Sequence, residues 1–248
     1  RGEQTLVFDK ESPLVSRPSH PAAVEHSRTP LLAFALAVNE ALAKLGFPLC
    51  AGGVMASNPK MCLAVDEWKA RFLGWLTQPT PQALLEANIV FDFRPLYGDT
   101  TLTDELASWL HGYTTESTLF LRLMVQNALE TTPPLGVLRA FATDDDAAHR
   151  GTLDLKVRGA RIFVDAARVF ALGRAVRETG TAARLRLAGA ALGVEPRHVE
   201  ATVDAFHFVQ LLRLPLSGRL GQQLLEAGGA GERVDLARGP RLEPARLV

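Results

Sequence analysis

The sequence predicts an α+β fold, with short strands and flanking helices over about residues 1–112 and a mostly helical domain over 113–248. Three observations predict it. Two segments, residues 1–11 and 88–94, read as short strands that carry acids toward their ends. Helix starts and stops bracket the apolar runs between them. From Thr115 onward apolar residues recur mostly at helical spacing. A chain of 248 residues is long enough for one large domain or two small ones.

Taken in order, the first strand leads into residues 12–28, rich in Pro, Ser and His, which read as a loop. Thr29-Pro30 is a helix start, with a capping hydroxyl followed by Pro at the first helical position. Leu31, Leu32, Ala35, Val38, Leu42 and Leu45 then form a broad apolar face, and Gly46 stops the helix. A strand is expected around residues 49–55. Asn58-Pro59 caps a second helix, in which Val65, Trp68, Phe72 and Trp75 recur at helical spacing and read as core. Pro79 ends it, and a short helix over 81–87 leads into the strand bearing Asp92, which Gly98-Asp99 closes.

Residues 101–110, 115–130, 160–173, 181–192 and 196–213 are expected to be helical. A strand or hairpin interrupts at 137–158, where Leu153, Leu155 and Val157 alternate with Thr152, Asp154 and Lys156. Asp144-Asp145-Asp146 falls in its turn and reads as a solvated run. Residues 214–248 hold much Gly, Pro and Arg with weak periodicity, and read as an irregular tail.

Composition narrows the function. The 27 basic and 27 acidic residues cancel, which argues against general nucleic-acid binding. Residues 1–130 hold 10 Lys/Arg against 14 Asp/Glu, and residues 131–248 hold 17 against 13. An acidic front facing a basic rear suits a nucleoside triphosphate held between them, although ordinary surface variation explains so small an excess equally well. Cys50 and Cys62 have no zinc-type spacing and read as reduced thiols of a cytoplasmic protein. No apolar run approaches the ~20 residues of a membrane span, and no signal peptide is visible. The chain opens at Arg1, without Met and inside a motif, so further residues upstream are expected.

The chemistry lies in the acids. Along a strand Asp9 and Glu11 point to one face. If the Asp92 strand lies beside the first, three carboxylates converge and need a divalent cation between them. Oxygen-rich sites of that kind suit Mg²⁺, which clamps nucleotide phosphates, the equipment of a nucleotidyltransferase. The plainer reading of Asp9 and Glu11 is an exposed acidic strand end. Arg94, two residues from Asp92, faces the same way on a strand and either meets phosphate or pairs with the acids. Gly52-Gly53 reads as a close backbone approach to a ligand or as a plain turn.

Arg1-Gly2-Glu3-Gln4-Thr5 followed by Asp9-Lys10-Glu11 resembles the second half of the signature of the DNA-polymerase-β-like nucleotidyltransferase superfamily. There a Gly-Ser pair lies upstream of an acid-x-acid strand. Further segments resemble the nucleotidyltransferase family related to the protein-PII uridylyltransferase: Phe47 to Pro59, Phe91-Asp92-Phe93-Arg94-Pro95-Leu96-Tyr97-Gly98-Asp99, Pro133-Pro134-Leu135-Gly136, Leu153-Asp154-Leu155-Lys156, and Ala167-Arg168-Val169-Phe170-Ala171-Leu172. The likeness runs to about Arg213.

The resemblance implies a polymerase-β-like core, a mixed sheet with flanking helices, ahead of the helical domain. It implies transfer of NMP from an NTP, with Mg²⁺ or Mn²⁺, onto an acceptor hydroxyl, by family analogy on a signalling protein. Asp9, Glu11 and Asp92 would be the catalytic and metal-binding acids, with Asp92 orienting or deprotonating the hydroxyl. Arg1 and Gly2 would end the phosphate-holding turn, and Lys156 and Arg168 match basic positions of the rear domain, although a solvated strand face and a helix surface explain those two as well. Upstream CBS or cyclic-nucleotide-binding domains often accompany the family. The close family has Asp-Gln-Asp-Asn-Ala-Leu where this chain has Asp9-Lys10-Glu11-Ser12-Pro13-Leu14. That departure leaves open a non-catalytic nucleotide-sensing or dimerisation module, with a small-molecule transferase as a third reading.

Overall fold

The computed structural model describes residues 11–135, 143, 150–224 and 233–235. The first predicted strand up to Lys10, the turn of the predicted hairpin with Asp144-Asp145-Asp146, and most of the tail lie outside the described residues. What is described is a mixed α/β architecture, mostly helical with little sheet.

Chain entry is through a parallel pairing. Ser12 bridges Met55, donating to the Val54 carbonyl at 3.0 Å and accepting from Ala56 N–H at 2.9 Å. Strand β1 (Leu14–Ser16) then pairs in parallel with β2 (Cys62–Ala64), Leu14 opposite Cys62. Pro13 falls between these contacts. Because Ser12 uses both its backbone groups on this partner, the next residue's N–H would point away from it, so the missing donor of Pro13 costs nothing there. The loop expected over 12–28 therefore holds a strand and the beginning of a helix.

Helix α1 (Val24–Lys44) starts before Thr29-Pro30 and carries Pro30 inside it. Arg28 ties α1 to the sheet: its guanidinium donates to the Cys62 carbonyl at 2.8 Å and to Glu67 at 2.5 Å. Glu67 in turn accepts from the Ala64 N–H at 2.8 Å, satisfying an orphan donor at the start of helix α2 (Val65–Thr77). Gly53, at φ +67°, sits in a plain turn closed by a hydrogen bond from the Asn58 side chain to its carbonyl.

The aromatic stripe of α2 is core, as its spacing predicts. Phe72 is 1% exposed and its ring lies 5.6 Å from Trp68, 5.5 Å from Trp75 and 5.1 Å from Phe91. Trp68 also donates to the Leu14 carbonyl at 3.0 Å, locking α2 under β1.

Helix α3 (Pro81–Val90) corrects the expectation of a strand at 88–94. It is capped by the Thr80 hydroxyl and buries Ala83, Leu84, Ala87 and Val90 at helical spacing. Gly98-Asp99 closes no strand. Gly98 takes φ +99°, and the Asp99 carboxylate caps helix α4 (Thr100–Glu116) by accepting from Thr101 N–H at 2.9 Å.

Helices α5 (Thr118–Leu129), α6 (Arg161–Leu172), α7 (Thr181–Ala191) and α8 (Pro196–Leu224) follow. Helix α8 runs past the expected end at residue 213. Strand β3 (Thr152–Asp154) pairs antiparallel with β4 (Arg233–Asp235), so the expected irregular tail contributes a strand. Leu153 and Leu155 are buried, but the alternation stops there, because residues 156–160 wind into a single wide helical turn.

The main core cluster draws on β2-side residues and α2–α4, but also on Phe120 and Met124 of α5 and Val169 and Leu172 of α6. Front and rear thus share apolar packing. A smaller cluster of Ala167, Leu185 and Val203 joins α6, α7 and α8.

Candidate functional site: a buried carboxylate between two arginines

Helix α3 ends at Val90, and the burial of Phe91 in the aromatic cluster draws the chain inward at that point. Asp92 follows directly and meets helix α6. On α6, Asp165 and Arg168 are one helical turn apart and share a face. On α7, Arg184 lies near the N-terminus of the helix and is buried.

These side chains form one network. Arg168 donates from Nε at 3.0 Å and from Nη2 at 2.7 Å to Asp92 Oδ2. Arg184 donates from Nη1 to Asp92 Oδ1 at 2.5 Å. The remaining donor edge of Arg168 goes to Asn88 Oδ1 at 2.7 Å and Asp165 Oδ1 at 3.0 Å. Asp165 Oδ2 accepts from Arg161 at 3.1 Å, and Arg184 Nε donates to the Glu178 carbonyl at 2.5 Å. The side chains of Asp92, Arg168 and Arg184 are only 3%, 2% and 3% exposed. Burial pulls the Arg168 pKa down, but Asp92 and Asp165 beside it more than offset that and hold it above the ordinary arginine value.

This geometry revises the sequence-based site. Asp92 does not sit on a strand, so the shared strand face that was to aim it at Asp9 and Glu11 is not there. It is flanked by two guanidinium groups, which repel a cation. Arg168, expected at the phosphates or on a helix surface, is buried and bonded to Asp92, joining a residue expected at the metal to one expected at the phosphates. Arg94 lies exposed in the loop after α3, and Lys156 is exposed at the start of the wide turn.

Glu11 is exposed immediately before the Ser12–Met55 bridge. Arg1, Gly2 and Asp9 lie outside the described residues. Among the described residues, no three His, Cys, Asp or Glu side chains gather to hold a metal ion.

Asn88, Asp165 and Arg184 were not singled out from the sequence. The i, i+3 spacing of Asp165 and Arg168 is a signal that would have found the first ion pair. Nothing in the sequence around Arg184 marks it.

Cys50 and Cys62 are buried and free, and burial raises the Cys62 thiol pKa. No described helix is long and apolar enough to cross a membrane.

Comparison with known families gives two matches. Residues 1–82 match the family described as "Putative nucleotidyltransferase DUF294". Residues 118–247 match the family described as "Putative nucleotidyltransferase substrate binding domain". No curated protein and no solved structure matches the chain.

Proposed function

The chain belongs to the putative nucleotidyltransferase family, a transferase segment followed by a substrate-binding segment, and from that premise we propose that it transfers NMP from an NTP to a hydroxyl of a protein acceptor in the manner of the protein-PII uridylyltransferase. The observation that supports this reading is where Glu11 falls. It is exposed and immediately precedes the parallel pairing that starts at Ser12, and Asp9 stands two positions before it in the sequence.

Asp9 and Glu11 are the residues that would hold a divalent cation, and their hard oxygen donors fit Mg²⁺ or Mn²⁺. When bound, the cation neutralises triphosphate charge and polarises the reacting phosphorus. The rest of the reaction belongs to this chain's positioning of its substrates. Arg1 and Gly2 offer backbone N–H groups to phosphate oxygens. Arg94 and Lys156, both exposed cations, supply charge toward the triphosphate. The acceptor hydroxyl oxygen bonds the α-phosphorus as the bond to the β-phosphate oxygen breaks, pyrophosphate leaves, and the hydroxyl proton passes to water. A core of the polymerase-β type, upstream regulatory domains and a cytoplasmic location belong to the same proposal.

The test is transfer of α-labelled nucleotide to a PII-type signalling protein by the full chain, with Mg²⁺ and with EDTA. Asp9→Asn and Glu11→Gln are each expected to lower transfer at least about 100-fold. Labelling that persists in EDTA would overturn the reading. The replacement of the family's Asp-Gln-Asp-Asn by Asp9-Lys10-Glu11-Ser12 favours a second reading, a nucleotide-sensing module. Mg²⁺-dependent NTP binding with no transfer in this assay would select it.

A further inference from the structure

The buried acid network joins segments that sequence and family matching keep apart. Asp92 lies between the two matched segments, in the stretch 83–117, while Arg168 and Arg184 belong to the rear one. Asn88, on the same α3 end, bonds Arg168 at 2.7 Å and also donates to Asn127 of α5 at 3.3 Å. The last turn of α3 and the residue after its C-cap are therefore fastened to α5, α6 and α7 at once.

The charges explain why such a network holds. Asp92 and Asp165 face Arg168 and Arg184, and Arg161 adds a third cation at the half-exposed edge. Each oxygen of Asp92 already accepts from a guanidinium, and the two outward-facing edges of Arg168 are both occupied. A buried charge is stable only when its partners are complete, so removing any one strands the others.

We propose that Asp92, Arg168 and Arg184 form an electrostatic latch that fixes the substrate-binding segment on the end of α3, and that the Asp92 carboxylate serves this latch rather than a metal ion. Asp92 is then a positioning residue. It sets where α6 and α7 stand relative to the front half and leaves metal binding to Asp9 and Glu11. The metal part of this statement rests on the nucleotidyltransferase reading, and the latch part does not.

The experiment uses the full chain and two readouts, amide hydrogen exchange over residues 81–94 and 181–191, and titration with Mn²⁺ alone. Asp92→Asn is expected to speed exchange in both segments together, by at least about tenfold, because a broken buried pair opens the elements it joined. Its Mn²⁺ affinity is expected to stay within about twofold of wild type. Arg184→Lys, which keeps the charge but shortens the reach, is expected to show a smaller change confined mainly to 181–191 and serves if Asp92→Asn does not fold. The triple variant Asp92→Leu, Arg168→Met, Arg184→Met removes the network as a unit while Asp165 keeps Arg161, and is expected to recover protection relative to Asp92→Asn.

Exchange unchanged in both segments, or faster in 81–94 alone, would overturn the latch. Mn²⁺ affinity lowered tenfold or more by Asp92→Asn with exchange unchanged would return Asp92 to the metal. If wild type binds no Mn²⁺, the metal-dependent transferase reading fails, and the exchange readout alone decides the latch.

Discussion

Asp92 and Arg184 stand 92 positions apart in the chain and 2.5 Å apart in the fold, both almost fully buried. Their pairing is specific to the folded state, because an unfolded chain solvates both groups. Arg184→Met removes one of the two guanidinium groups that Asp92 accepts from, and removes the Nε donor of the Glu178 carbonyl. Breaking one partner of a buried pair costs about 3–5 kcal/mol. The expected outcome is a lower urea midpoint at unchanged m-value, near the bottom of that range because Arg168 remains. A loss below ~1 kcal/mol would mean that the contact contributes nothing net.

Two glycines give opposite signs. Gly189 of α7 faces Val199 of α8, and a β-carbon there would come within 2.6 Å of a Val199 methyl. Gly189→Ala is expected to destabilise by about 1–3 kcal/mol through overpacking, and Val199→Ala in the same chain to recover most of it. Thermal melting of the single and double variants checks both.

Gly74, within α2, meets nothing within 4 Å where its β-carbon would stand. Gly74→Ala is therefore expected to stabilise by roughly 0.5–1 kcal/mol, through helix propensity alone. A loss of stability would mean that α2 needs the glycine for a contact the fold does not show.

Legibility followed the strength of local pattern. The α2 stripe was readable because Trp68, Phe72 and Trp75 repeat at helical spacing with no competing period. The segment 88–94 was not, because Ile89-Val90-Phe91 is a short apolar run that fits a buried strand and a buried helix end equally. Packing settles it: Ala87 and Val90 continue the face begun by Ala83 and Leu84. Proline misled at Thr29-Pro30, which reads as a helix start, whereas α1 begins upstream and tolerates Pro30 within it. Strand β4 carries little signal of its own, since it exists through pairing with β3. In the site, the acidic pair was visible as a motif, while the partners of Asp92 lie 76 and 92 positions away and no local rule reaches that far.

His111 gives the molecule a pH dependence whose sign can be worked out. It lies on α4, 9% exposed, and its Nδ1 is buried with no hydrogen-bond partner among the described residues. Burial, then the charges of Arg177 and Arg184, hold its pKa below the ordinary 6.5. As pH falls past the unfolded value, the unfolded chain takes up a proton that the folded chain refuses, so stability declines with falling pH. The decline begins near pH ~6.5 and ends once the depressed folded pKa is passed. His111→Leu removes both the titration and the orphan nitrogen. The expected outcome is a smaller drop in Tm between about pH 7.5 and pH 5 than in wild type, the other five histidines being common to both chains. An equal drop would place the acid sensitivity on other groups. A larger one would mean that protonated His111 stabilises the fold, the reverse of what burial beside two arginines requires.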